Sequence, residues 1–183
     1  MFEEIKNYKP TNEQEITDQK AMLDFIAHYD NTLYRDNLIA HFTSSAIVLN
    51  QSMTKILFAY HKIYDSWGWV GGHNDGDPDF KHVAIKEAME ETGISDVKAF
   101  DDCIGLDIIH VPNHIKKGIH VSDHLHLNLT YLLIADENQH IEHKPDENSD
   151  VRWFKLDEYK QYVSEAHMLP IYDKLIKNAL KKR

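Results

Sequence analysis

The spacing of apolar positions changes near residue 39. Before that point Ile16, Met22, Leu23, Phe25 and Ile26 recur at a patchy helical interval, the mark of one face of an amphipathic helix. Thr11-Asn12-Glu13-Gln14 precedes them with the Thr-x-x-Gln form of a capping box. Tyr29-Asp30-Asn31 interrupts the pattern, so residues 1–38 are expected to form a helical N-terminal extension. Beyond it, residues 41–49 and 55–61 are rich in β-branched, aromatic and aliphatic side chains, and Asn50-Gln51-Ser52 between them predicts a hairpin. Trp67-Gly68-Trp69-Val70 leads into residues 71–78, a loop by composition. Asp77 suits an N-cap and Pro78 a first helical position, which predicts a helix running to Glu91 or Thr92 with Gly93 as its C-cap. Further strands are expected over residues 97–110, 124–135 and 150–154, and closing helices over 156–163 and 170–182. Strands around a central helix, with helices at the end, predict an α+β domain over residues 39–183, a mixed sheet sandwiched between helices.

Charge narrows the partners. With 20 basic and 30 acidic residues the formal net charge is −10. Such a surface repels phosphate backbones and anionic membranes, so neither nucleic acid nor a membrane is expected as a partner. A small anionic substrate would need a local cation. The chain has one cysteine, Cys103, which excludes an internal disulfide; its position suggests a small buried residue. No apolar run approaches the roughly 20 residues of a membrane helix, and the charged first residues lack an apolar signal core. A cytoplasmic protein is the expectation.

One segment carries chemistry. Glu87, Glu90 and Glu91 stand at i, i+3 and i+4, within one helical arc roughly 100° wide. Ile85, Ala88 and Met89 fall largely on another side, where they can pack under a sheet. Carboxylates held this close repel one another unless a cation intervenes, and oxygen clusters suit hard ions such as Mg²⁺ or Mn²⁺. Most glutamate-rich helix faces are simply solvated. What sets this one apart is its frame, a glycine pair and turn-forming loop before it and Glu-Glu-Thr-Gly at its end.

That frame resembles the Nudix box, the signature of the Nudix (MutT-like) hydrolases. Gly72, Glu87, Glu90, Glu91, Gly93 and Ile94 occupy its fixed positions, and Ala88 stands at an aliphatic one. Two positions depart: Pro78 stands where the box has glutamate, and Lys86 where it has arginine. In the family these two brace the loop against the helix; here Asp77 or Asp79 is expected to pair with Lys86 instead. Residues 40–160, including His41-Phe42-Thr43-Ser44-Ser45-Ala46 and His124-Leu125-His126, resemble a bacterial subgroup of largely unassigned substrate. The resemblance implies a Nudix fold and Mg²⁺-dependent cleavage (Mn²⁺ as a substitute) of the pyrophosphate bond in a nucleoside diphosphate linked to another moiety. It implies metal ligation by Glu87, Glu90, Glu91 and the Gly71 carbonyl, and a general base among the glutamates. Glu147, in an acidic loop, offers a late ligand or base. His73 and Lys86 are placed to touch phosphate, and Trp69 or Trp67 to line the pocket.

Other readings stay open. An isopentenyl diphosphate isomerase-like enzyme would use a cysteine before the box, whereas Cys103 follows it. A nucleotide-sensing Nudix domain without catalysis would often lack box glutamates. The Ser-Gln-Pro-Trp motif of NADH-cleaving relatives is absent, and the offset of Pro112 does not match the proline of ADP-ribose hydrolases. The extension offers a surface for a homodimer. His124 and His126 share one strand face, and with His110, His114 or His120 offer nitrogen donors for zinc; strand histidines more often face substrate or solvent.

Overall fold

A computed structural model describes residues 2–116 and 118–183. The chain opens with helices α1 (Glu3–Asn7) and α2 (Glu13–His28), then runs through strands β1 (Ala40–Asn50), β2 (Lys55–His61), β3 (Ser66–Gly68) and β4 (Val70–His73). Helix α3 (Phe80–Thr92) follows, then β5 (Val97–Ala99), β6 (Gly105–Val111), the small hairpin β7 (His114–Lys116) and β8 (Ile119–Val121), β9 (His124–Ala135) and β10 (Asn148–Lys155). Helix α4 (Leu169–Leu180) closes it.

The main sheet is mixed. Its path is β10-β2-β1-β9-β5, with β3 beside β2, β4 beside β1 and β6 beside β9. Strand β1 runs parallel to β9 over its whole length, from Ala40 opposite Leu125 to Asn50 opposite Ala135, and antiparallel to β2 and β4. Every residue of β1 is buried, as expected of a strand covered on both faces. Alternation along the strands sends Ile47, Leu49, Ile56, Phe58 and Leu132 toward Tyr172 and Leu175 of α4. The intervening Ala46, Val48, Leu57, Ala59 and Leu133 pack with Ala88 of α3. The sheet is thus sandwiched between helices, as the sequence predicts.

The extension is integral to the packing. Ile5 and Met22 have no solvent exposure and share a cluster with Phe42, Phe80, Leu129 and Tyr131. Tyr131 donates its hydroxyl hydrogen to Glu4 at 2.6 Å. The α2 N-cap is Asn12, not Thr11: its side chain accepts from the Glu15 N–H, and Glu15 reaches back to Thr11 N–H and Oγ1. The box forms one residue later because Asn12 and Glu15 hold the same reciprocal spacing.

Other expectations shift as well. Helix α3 begins at Phe80 on an Asp79 cap; Asp77 instead accepts from the Asp79 N–H in the turn before it. Residues 97–110 break into two strands on different stretches of β9. Residues 156–163 contain only a short 3₁₀ turn. Residues 71–73 are strand, not loop. A Cβ on Gly71 would stand 2.5 Å from the Ser44 carbonyl oxygen, so glycine serves there for close strand approach rather than for turning.

Candidate active site

Helix α3 lies against β1 and β4, and its Ala84 and Ala88 are fully buried under the sheet. That packing fixes the rotation of the helix and brings its three glutamates to one cleft of about 530 Å³. They occupy a gradient of solvation: side-chain exposure is 2% at Glu91, 14% at Glu87 and 43% at Glu90. Glu91 is held from several sides. The Gly71 N–H donates to its Oε1 at 2.8 Å, and Asn148 Nδ2 donates to its backbone oxygen at 3.1 Å and to Oε2 at 3.4 Å. His61 places Nδ1 at 3.9 Å from Oε2 while its Nε2 bonds the Trp69 carbonyl at 2.7 Å. Burial pushes the Glu91 carboxyl up to about 8; the Gly71 N–H opposes this, and the charges of Glu147 and Glu87 add to it. Burial also raises Glu87, against the pull of Lys86.

Carboxylates this dry and this close are stabilised when a cation sits among them. The backbone fits that need. A Cβ on Gly72 would lie 2.5 Å from Glu87 Cδ, so the absent side chain leaves Glu87 its place at the cleft. Glu147 joins the same cleft, 38% exposed and paired with Lys144 at 3.1 Å; Lys144 also donates to Glu90 at 3.3 Å.

The brace differs from expectation. Asp77 and Asp79 do not reach Lys86: Asp77 bonds His82 Nδ1 at 2.8 Å, and Asp79 caps the helix through His82 N–H. Lys86 lies 3.9 Å from both Glu87 and Glu90. The loop is clasped from outside the box. Arg35 makes a forked contact with Asp75, its Nε donating at 2.8 Å. The Gly76 N–H donates to Leu33 O at 3.1 Å, and Ser44 Oγ donates to the buried Asn74 at 3.0 Å. A guanidinium fork fits a carboxylate directionally, which an ammonium does not.

Of the two tryptophan candidates, Trp69 lines the cleft and stacks edge-on against Tyr172 at 5.5 Å; Tyr64, from the turn after β2, lines the cleft as well. Trp67 is core, packed on Phe154. Trp153 is half-buried against the α3-side core. Cys103 is buried, donates to Gly105 O and has its thiol pushed up by burial. His73 lies in the cleft wall beside His126, their ring centroids 4.9 Å apart. Burial pushes its ring down to about 2, so it stays neutral. Of the histidines suggested as partners of His124 and His126, only His114 is near, its ring centroid 6.4 Å from that of His124, and none of them joins the group of converging nitrogens. His110 pairs with Asp123 at 3.1 Å, His114 turns to Pro112 O, and His120 is exposed. Sequence spacing gives no signal for His61, Asn148, Arg35 or Lys144, because each reaches the site from a separate element.

A model of the NUDIX domain matches residues 40–175. The chain belongs to the Nudix family. Solved Nudix structures share the fold at low identity. An Ap4A hydrolase from C. elegans, in a binary complex, is 16% identical with a TM-score of 0.56, covering 77% of this chain and 96% of that one. A Nudix hydrolase from Clostridium perfringens is 17% identical with a TM-score of 0.56, covering 75% and 96%. The NUDIX domain of Shewanella oneidensis NrtR, complexed with ADP ribose, is 16% identical with a TM-score of 0.53, covering 87% and 97%. No curated protein matches the sequence. In this Nudix chain the box is a strand-loop-helix unit whose two glycines act differently: Gly72 clears space for Glu87, and Gly93, at φ 71°, ends α3 in the left-handed conformation.

Proposed function

We propose that this Nudix protein is a Mg²⁺-dependent pyrophosphohydrolase acting on a nucleoside diphosphate linked to another moiety, with Mn²⁺ as a substitute ion. One observation carries the reading: Glu87, Glu90 and Glu91 converge on one cleft, with Glu91 buried and bonded to Gly71. In this reading those glutamates and the Gly71 backbone hold the metal, which when bound neutralises phosphate charge and lowers the pKa of bound water. A carboxylate of the Glu87–Glu91 group would take the proton from water. Lys86 and Lys144 orient the phosphates, with His73 as a neutral hydrogen-bonding group. Trp69 and Tyr64 offer faces for a base. Glu147, salt-bridged to Lys144, is a late-loop carboxylate that substrate can free by competing for the lysine. The isomerase-like reading loses support because Cys103 is buried in the cluster under α1 and α2, away from the glutamates. Among the described residues no helix is long and apolar enough to cross a membrane.

The test is a hydrolysis panel with Mg²⁺ and with Mn²⁺, spanning ADP-ribose, dinucleoside polyphosphates, nucleotide sugars, NAD(H), CoA and nucleoside triphosphates. Cleavage of a pyrophosphate bond, abolished by chelation and restored by Mg²⁺, is expected. Tight binding of a nucleotide without cleavage would replace the hydrolase with a sensor.

A further inference from the structure

Beside the glutamates is a second cluster of a different kind. His41, His73, His124 and His126 bring ring nitrogens within 4.8 Å of one another. Strand register explains the meeting: His41 is opposite His126 on the parallel β1–β9 pair, and His73 is opposite Thr43, two residues along the same face of β1. His124 is two residues before His126 and shares its face. Five of the six ring pairs have centroids 4.9 to 5.2 Å apart. Four imidazoles arranged tetrahedrally around one ion, with bonds of about 2.0–2.1 Å, would place their centroids roughly 5 Å apart.

The proton count points the same way. His41 Nδ1 contacts Asn37 O at 3.1 Å, and His124 Nδ1 contacts Ser122 O at 2.8 Å. A carbonyl only accepts, so each Nδ1 carries the hydrogen and each Nε2 presents a lone pair inward. His124 Nε2 stands 3.2 Å from His126 Nε2, so one N–H can serve that pair. His41 is 4% exposed, and its Nε2 is buried with no partner among the described residues. Such an orphaned acceptor is costly. Backbone carbonyls that fix the far nitrogen of a ligating histidine are a familiar support of metal sites.

We propose that His41, His73, His124 and His126 bind one divalent first-row transition ion of the class that imidazole prefers, with Zn²⁺ as the representative, at a site separate from the carboxylate cluster. The site ties β1, β4 and β9 together behind the glycine pair, and His73 and His126 expose it to the cleft. It does not depend on the hydrolase reading, since nitrogen and oxygen donor sets select different ions.

The test uses the full chain, purified without a histidine tag and stripped by chelator, then titrated with Zn²⁺ or Co²⁺ alone. One equivalent is expected to bind, and Co²⁺ should give the intense visible absorption of a tetrahedral nitrogen site. His41→Gln and His124→Gln should each weaken binding about 100-fold or more, whereas Glu91→Gln should leave it unchanged. X-ray absorption on the Zn²⁺-loaded wild-type chain, which needs no variant to fold, should show three or four imidazoles. Absence of stoichiometric binding, binding lost with Glu91→Gln but not with the histidine variants, or a coordination sphere mainly of oxygen would overturn the proposal.

Discussion

The glutamate arc and the histidine quartet share one cleft wall and solve opposite problems. The glutamates are anionic groups in graded contact with water, partly balanced by Lys86 and Lys144. The histidines sit in a mostly dry site, and His41 and His124 turn Nε2 lone pairs inward. The first cluster has less positive charge than negative; the second has a buried acceptor with no partner among the described residues. Under the two proposals each deficiency would be met by its own ion, a hard oxygen-seeking one or a softer nitrogen-seeking one. A third cluster shows what neither is. Glu15 and Asp107 are buried with Lys174, whose Nζ lies 3.0 and 2.6 Å from them. There the chain supplies its own cation, and no ion is required.

The sharpest way to separate the first two clusters is Glu91→Gln. Loss of an essential acid–base group costs about 10²–10⁴-fold in kcat, so activity should fall by that much while circular dichroism holds. A variant with near-wild-type turnover would remove Glu91 from the chemistry. Gly72→Ala comes next. Its Cβ would push into Glu87, and displacement of a catalytic group by about 1 Å can cost 10²-fold. Steady-state rates should show the loss, with Zn²⁺ titration unaltered. Arg35→Ala probes the external clasp. The pair is half exposed, so little change in Tm is expected; kcat/KM should drop by about three- to tenfold as the loop loosens, and Arg35→Lys should restore only part of it.

The smallest effect tests the third cluster. Burial pushes the Asp107 carboxyl up to about 7, against the pull of Lys174. A single ammonium serves two carboxylates, and Glu15 takes the additional donors of Thr11. Between the ordinary value of 3.8 and about 7 the folded chain holds a proton that the unfolded chain releases. Asp107 ionisation therefore lowers stability as pH rises through that window. Asp107→Asn should flatten this decline, with the variant's Tm improving relative to wild type between pH 5 and pH 8. Calorimetry at the two pH values would decide it; about 2–4 °C corresponds to 1 kcal/mol for a chain of this size.

What the sequence disclosed follows the same division. The glutamates sit on one helix, where positions three and four apart are neighbours by geometry alone. The hairpin at Asn50 and the C-cap at Gly93 are equally local. The quartet depends on β1 lying between β4 and β9 and on the register of both pairings, which no linear spacing encodes. His124 and His126 are legible as one face, but β6 and the β7–β8 hairpin carry His110 and His120 to other surroundings, and His114, 6.4 Å from His124, turns its Nδ1 to Pro112 O. The Arg35–Asp75 contact was hidden for the same reason, at a separation of 40 residues. The glycine pair misled in another way, since glycine signals both turning and crowding, and here crowding was the cause.

The external clasp also redraws the minimal unit. The family match begins at residue 40, yet Arg35, Leu33 and Tyr34 grip the loop ahead of α3 from before that boundary. A chain trimmed at residue 40 would lose the guanidinium fork, the Leu33 carbonyl and the ring beneath Gly76 in a single cut. It would keep every residue of the box and the Ser44–Asn74 bond but lose the rest of the latch on its loop, so truncation and box mutation should give distinguishable kinetic signatures.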